Sequence, residues 1–154
     1  LPPSLRAAAT FSAQPQRRIE TAYIAPAGDA RNPAPGATVT RHGDDVVLDL
    51  HAAGDGVMLQ VPQEAGLQSV TIGGIIAAAS QRRVSIICAT QDCGTAQITL
   101  KLASPEATTL TLLSLKRGLP PDGAKLLKAR PATAAPSQEG DQTVLAATIT
   151  IPAR

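Results

Sequence analysis

The chain has 154 residues, with 13 Pro, 12 Gly, two Cys and no Trp, and 14 Lys and Arg against 12 Asp and Glu for a net charge of +2. That length suits one domain with a real core, and the near-neutral balance excludes a nucleic-acid partner. The longest apolar stretch, 70–79, is broken by Gly73 and Gly74 and falls short of the roughly 18 apolar residues a spanning helix needs, so no membrane insertion by this fragment is expected.

The chain opens at Leu1 without a signal-like leader and reads as a piece of a longer protein. Residues 1–16 hold Pro2-Pro3, three Ala in a row and Gln14-Pro15-Gln16 without an apolar period, which predicts a flexible tail or linker. Residues 17–154 then read as a single β-sandwich domain. Residues 18–24 alternate as a strand, and 26–36 form a Pro/Gly/Asp/Asn loop.

Short strands follow closely. Residues 37–41 and 46–51 flank a turn at His42-Gly43-Asp44-Asp45. Val46, Leu48 and Leu50 share one face of the second strand, and Val47, Asp49 and His51 the other. Gly54-Asp55-Gly56 turns the chain into 57–61, and 62–66 is a loop. Gly73-Gly74 marks a tight hairpin between 68–72 and 75–78. Residues 83–88 and 96–102 flank a further hairpin, 108–115 follows Ser104-Pro105, and 143–151 is the last strand. Asp122 is placed to cap a short helix over 123–129 that Pro131 stops.

About nine or ten short strands separated by turns predict an all-β, antiparallel β-sandwich, immunoglobulin-like or jelly-roll-like, with at most one short helix near 122–129. With only Tyr23 and Phe11 as aromatics, Ala, Val, Ile, Leu and Thr must build the core.

Chemistry-bearing residues are few. Cys88 and Cys93 stand with four residues between them in a β-rich context, and a turn there brings their Cα atoms within disulfide reach of about 4.4–6.8 Å. Such a bond pins a hairpin's register and implies an exported protein, in the periplasm or at the cell surface. Two Cys without a Cys-x-x-Cys pair or further ligands do not make a zinc site. His42 reads as part of a polar turn, and Asp55 as a turn residue. No Gly-x-Ser-x-Gly elbow and no phosphate loop occur. The basic residues Arg17-Arg18, Arg82-Arg83, Lys116-Arg117, Lys125, Lys128 and Arg130 read as solvated strand ends and helix faces. The expectation is therefore a fragment with no catalytic set, no metal and no cofactor.

The C-terminal third carries three distinctive motifs: Gly118-Leu119-Pro120, an Ala/Leu stretch ending in Ala129-Arg130-Pro131, and Pro136-Ser137-Gln138-Glu139-Gly140-Asp141 before the last strand. Over about the last 70 residues this resembles the C-terminal end of bacterial membrane-anchored exopeptidases of the co-catalytic zinc aminopeptidase family. In that family a peptidase domain precedes several transmembrane helices, and a β-rich extracytoplasmic domain closes the chain. The cysteine pair also looks like the one in such tails. The resemblance implies an accessory domain whose partner is the peptidase portion of its own parent chain. The zinc ligands would belong to that portion, and the expectation is that this fragment carries no His-x-Asp, no paired Glu-Glu and no distant Asp/His set. Gly118, Leu119, Pro120, Pro136, Ser137, Gln138, Gly140 and Asp141 are the candidate interaction loop. The alternative is a free-standing extracytoplasmic binding or adhesion module that uses loops such as 26–36 or 136–141.

Overall fold

The computed structural model describes residues 1–17, 21–22, 25, 33–79, 84–134 and 140–154. The loop expected at 26–36, the residues around Tyr23, Arg82-Arg83, and Pro136, Ser137 and Gln138 therefore lie wholly or largely outside the described residues. The chain divides into two compact units, Leu1–Asn32 with Gly118–Thr143, and Pro33–Arg117 with Val144–Arg154.

The smaller unit begins with helix α1, Pro3–Ala8. A helix was not expected in this stretch. Pro3 sits in the first turn, where its missing N–H costs nothing, and Leu, Arg and Ala continue it well. Two two-residue strands, β1 (Gln16–Arg17) and β2 (Thr21–Ala22), pair antiparallel. Helix α2, Ala124–Ala129, follows a 3₁₀ turn at Pro121–Gly123 and lies against α1. Its N-cap is Gly123 rather than the expected Asp122, because the 3₁₀ turn led by Pro121 takes up that residue. Arg130 leaves the helix in an extended conformation, as a residue before Pro must.

The larger unit is an all-β sandwich of two antiparallel sheets. Its strands are β3 (Gly36–His42), β4 (Asp45–His51), β5 (Gly56–Val61), β6 (Leu67–Ile72), β7 (Ile75–Ala78), β8 (Val84–Cys88), β9 (Gln97–Leu102), β10 (Thr108–Arg117) and β11 (Gln142–Ile151). One sheet has the order β3-β4-β9-β6-β7, the other β11-β10-β5-β8. With β7 and β8 set aside, the remaining strands in chain order fall first-second-fifth-fourth in one sheet and seventh-sixth-third in the other. That is the ABED and CFG division of an immunoglobulin constant-type sandwich, with one extra strand on an edge of each sheet.

Alternation builds the core. Val46, Leu48 and Leu50 of β4, Val57, Leu59 and Val61 of β5, Ile98, Leu100 and Leu102 of β9, and Leu110 and Leu112 of β10 are all buried in one cluster. Ile149 and Ile151 of β11 complete it. Aliphatic side chains fill the whole inter-sheet layer, as the scarcity of aromatics requires.

The turns divide by job. Gly73 and Gly74 both have positive φ (57° and 81°) between the paired Ile72 and Ile75, which is the demand of a two-residue hairpin of primed type. The hairpin expected across 88–96 does not form. β8 pairs with β5 in one sheet, and β9 pairs with β4 and β6 in the other. The intervening residues, including a 3₁₀ segment at Gln91–Thr95, carry the chain from sheet to sheet. They lack the two-residue glycine signature that would force an in-plane reversal.

Candidate functional site

Cys88 and Cys93 form a disulfide, with Cα atoms 5.7 Å apart. Because β8 and β9 belong to different sheets, the bond does not set a hairpin register. It fastens the end of edge strand β8 to the 3₁₀ segment that follows. Cys93 is fully buried in the core cluster, whereas Cys88 is half-buried at its margin. The Thr90 backbone N–H and the Thr90 hydroxyl both lie 3.1 Å from Sγ of Cys93. The 3₁₀ segment is held independently by the Ala52 N–H, which donates to the Gly94 carbonyl at 2.9 Å. Gly94 must be glycine, since a Cβ there would fall 2.0 Å from the Ala52 carbonyl oxygen.

Beside the disulfide, no further strand among the described residues lies beyond β7 or β8. β7 and β8 are the edge strands of their respective sheets. By register Ile75 and Ala77 lie opposite Ile72 and Val70, and Ile86 and Cys88 opposite Leu59 and Val57, so these four residues point toward the inter-sheet space. Together with Val70 and Ile72 they line an apolar mouth of about 390 Å³. Ile75 is 76% exposed although its register is inward, and Ile76 and Ile87 are exposed on the outward sides. No charged residue lies on β7 or β8. Edge strands ordinarily carry charge or Pro that blocks pairing with another chain, and these two strands carry neither.

This surface was not singled out in the sequence. The available signal was the run Ile75-Ile76-Ala77-Ala78, which has no polar residue on either face and no charge. A strand covered on both faces has the same pattern, and only its neighbours tell the two apart.

The candidate loop from the C-terminal third is partly gathered in the smaller unit. The Gly118 N–H donates to the Asp141 carbonyl at 2.7 Å, and the Thr143 hydroxyl donates to the Gly118 carbonyl at 2.7 Å. Gly118 and Gly140 both adopt positive φ, 91° and 77°. The Asp141 carboxylate is ion-paired with Arg130, which is therefore not the solvated cation expected of it. Leu119 and Pro120 are half-buried, and a Cβ on Gly123 would clash with Leu119. Among the described residues, these contacts tie the segment at Gly118 to the segment at Asp141 and Thr143.

Although zinc motifs were expected to be absent, one His-x-Asp triplet does occur, His42-Gly43-Asp44. It is the β3–β4 turn, with His42 exposed and the Asp44 carboxylate ion-paired to Arg154 at 2.5 Å. Among the described residues no group of three or more His, Cys, Asp or Glu side chains is placed to hold a metal. His51 is hydrogen-bonded to the Thr38 hydroxyl, and the Asp55 carboxylate accepts the Arg117 N–H at 2.7 Å, as befits a turn residue. No helix among the described residues is long and apolar enough to cross a membrane. No protein-family model, curated protein or solved structure matches this chain.

Proposed function

We propose that this chain is a non-catalytic, extracytoplasmic accessory domain that works by protein contact, with the apolar mouth between β7 and β8 as its contact surface. The observation that carries this reading is the uncharged double edge, on which Ile75, Ile76 and Ile87 are each more than half exposed. The disulfide supports an oxidising compartment. The resemblance of the last third to the tails of membrane-anchored zinc exopeptidases points to the occupant, an apolar extended segment of the parent's own upstream chain. Such a segment adds a strand to an open edge and seats alternate side chains in the mouth.

The test is binding in trans between this domain and the upstream portion of its parent. The double variant Ile75→Lys with Ile76→Lys should weaken binding at least about ten-fold, while its stability changes by no more than about 0.5 kcal/mol. Unchanged binding sinks the proposed surface. The parent assignment is tested separately, because an upstream sequence lacking both zinc ligands and hydrophobic spans removes it.

A second reading has its own observation, the immunoglobulin constant-type strand order. Domains with this order often serve as free-standing binding modules, an analogy of fold alone. Strong, specific capture on a glycan or peptide array by the isolated chain favours it over the accessory role.

A further inference from the structure

We propose that the Cys88–Cys93 disulfide is a thiol-exchange site at which a small neutral or cationic thiol forms a mixed disulfide with Cys88 and releases Cys93. In this step the incoming thiolate forms a new S–S bond to Sγ of Cys88. The Cys88–Cys93 bond breaks, and its electron pair leaves on Sγ of Cys93. The incoming thiol is oxidised to the mixed disulfide, and Cys93 is reduced.

Three features favour this direction. First, the leaving sulfur is provided for. In the disulfide Sγ of Cys93 carries no hydrogen, so the Thr90 hydroxyl donates to it, as does the Thr90 N–H, each at 3.1 Å. Both donors are already aimed at the atom on which negative charge develops, and a stabilised leaving thiolate speeds exchange.

Second, Cys93 keeps its place without the bond. Its own N–H donates to the Thr90 carbonyl, the Ala96 N–H donates to its carbonyl, and neighbouring Gly94 is docked on Ala52. The Cys93 backbone therefore stays in place after release, with its sulfur beside the two Thr90 donors.

Third, the two sulfurs differ in access. Cys93 is 1% exposed. Both cysteines border an adjoining depression of about 670 Å³, but of the two only Cys88, half-buried at the end of an edge strand, also borders the apolar mouth. Among the described residues lining that depression, the one charge is the exposed carboxylate of Asp92. It repels an anionic thiol and leaves neutral or cationic ones unopposed.

The experiment treats the native full chain with millimolar cysteamine, quenches in acid and maps the modified peptides. The expected result is cysteamine on Cys88 in at least roughly ten-fold excess over Cys93, without denaturant. At matched thiolate concentration, cysteamine should react about three-fold faster than thioglycolate. Thr90→Val should slow exchange about three- to five-fold, and Thr90→Ser should restore it. Modification shared evenly between the cysteines, modification mainly of Cys93, or reaction only under unfolding conditions overturns the proposal. Site mapping on the unmodified chain decides the matter even if Thr90→Val fails to fold.

Discussion

Arg41 stands at an inward-facing register of β3, opposite Val46. Its guanidinium donates to the carbonyls of Ser104 at 2.6 Å, Pro152 at 2.7 Å, Gly43 at 3.0 Å and Glu106 at 3.4 Å. A single side chain thus ties the first hairpin to the loop before β10 and to the segment after β11. A planar cation with five donors suits four convergent carbonyls, and a lysine cannot reproduce that fork. Arg41→Ala is expected to lower stability by about 1.5–3 kcal/mol, read from the urea unfolding midpoint. Arg41→Lys should recover less than half of the loss. Nothing in the local sequence marks this role, since Arg41 precedes a polar turn and reads as an ordinary surface cation.

Among the elements, β8 depends most on a single bond. It is an edge strand with one neighbour, β5, and the disulfide anchors its end to the 3₁₀ segment. The loop that the bond closes spans only a few residues, so the constraint it places on the unfolded chain is modest, about 2 kcal/mol by the chain-entropy relation. The double variant Cys88→Ala with Cys93→Ala should lose about that much and still unfold cooperatively, as measured by denaturant titration. A loss far larger than this would mean that Cys93 packing, rather than the cross-link, dominates. The opposite edge strand, β7, has no such staple and is held through its hairpin with β6.

At the scale of the whole molecule, the larger unit is sewn from two separate stretches of the chain, Pro33–Arg117 and Val144–Arg154. β11 arrives after the excursion 118–143 and becomes the outer strand beside β10. It contributes Ile149 and Ile151, buried at 6% and 0% exposure, to the shared core. Deleting one such side chain costs about 2–5 kcal/mol, and a domain's entire stability is about 5–15 kcal/mol. A chain ended after Arg117 also leaves β10 as a bare apolar edge. It should show no cooperative thermal transition by circular dichroism and should bind a hydrophobic dye, unlike the full chain.

The sequence by itself determined the features that depend on near neighbours. The alternation Val46-Val47-Leu48-Asp49-Leu50 decides which face of β4 is buried, because a strand's side chains point to opposite sides in turn. Gly73-Gly74 decides the β6–β7 hairpin, because only glycine takes positive φ twice without strain. The four-residue gap between Cys88 and Cys93 makes their bond reachable. The gathering of Gly118 and Asp141 was legible only as a distinctive motif, and their mutual hydrogen bond required the fold. Tertiary structure alone decided which sheet each strand joins. A connection of several residues can reverse within a sheet or cross the roughly 10 Å to the next, and local sequence does not distinguish the two. That is why β8 and β9, neighbours in the chain, ended in opposite sheets. It is also why the isoleucines of β7 emerged as an open edge, since a strand becomes an edge through the strands that do not pair with it.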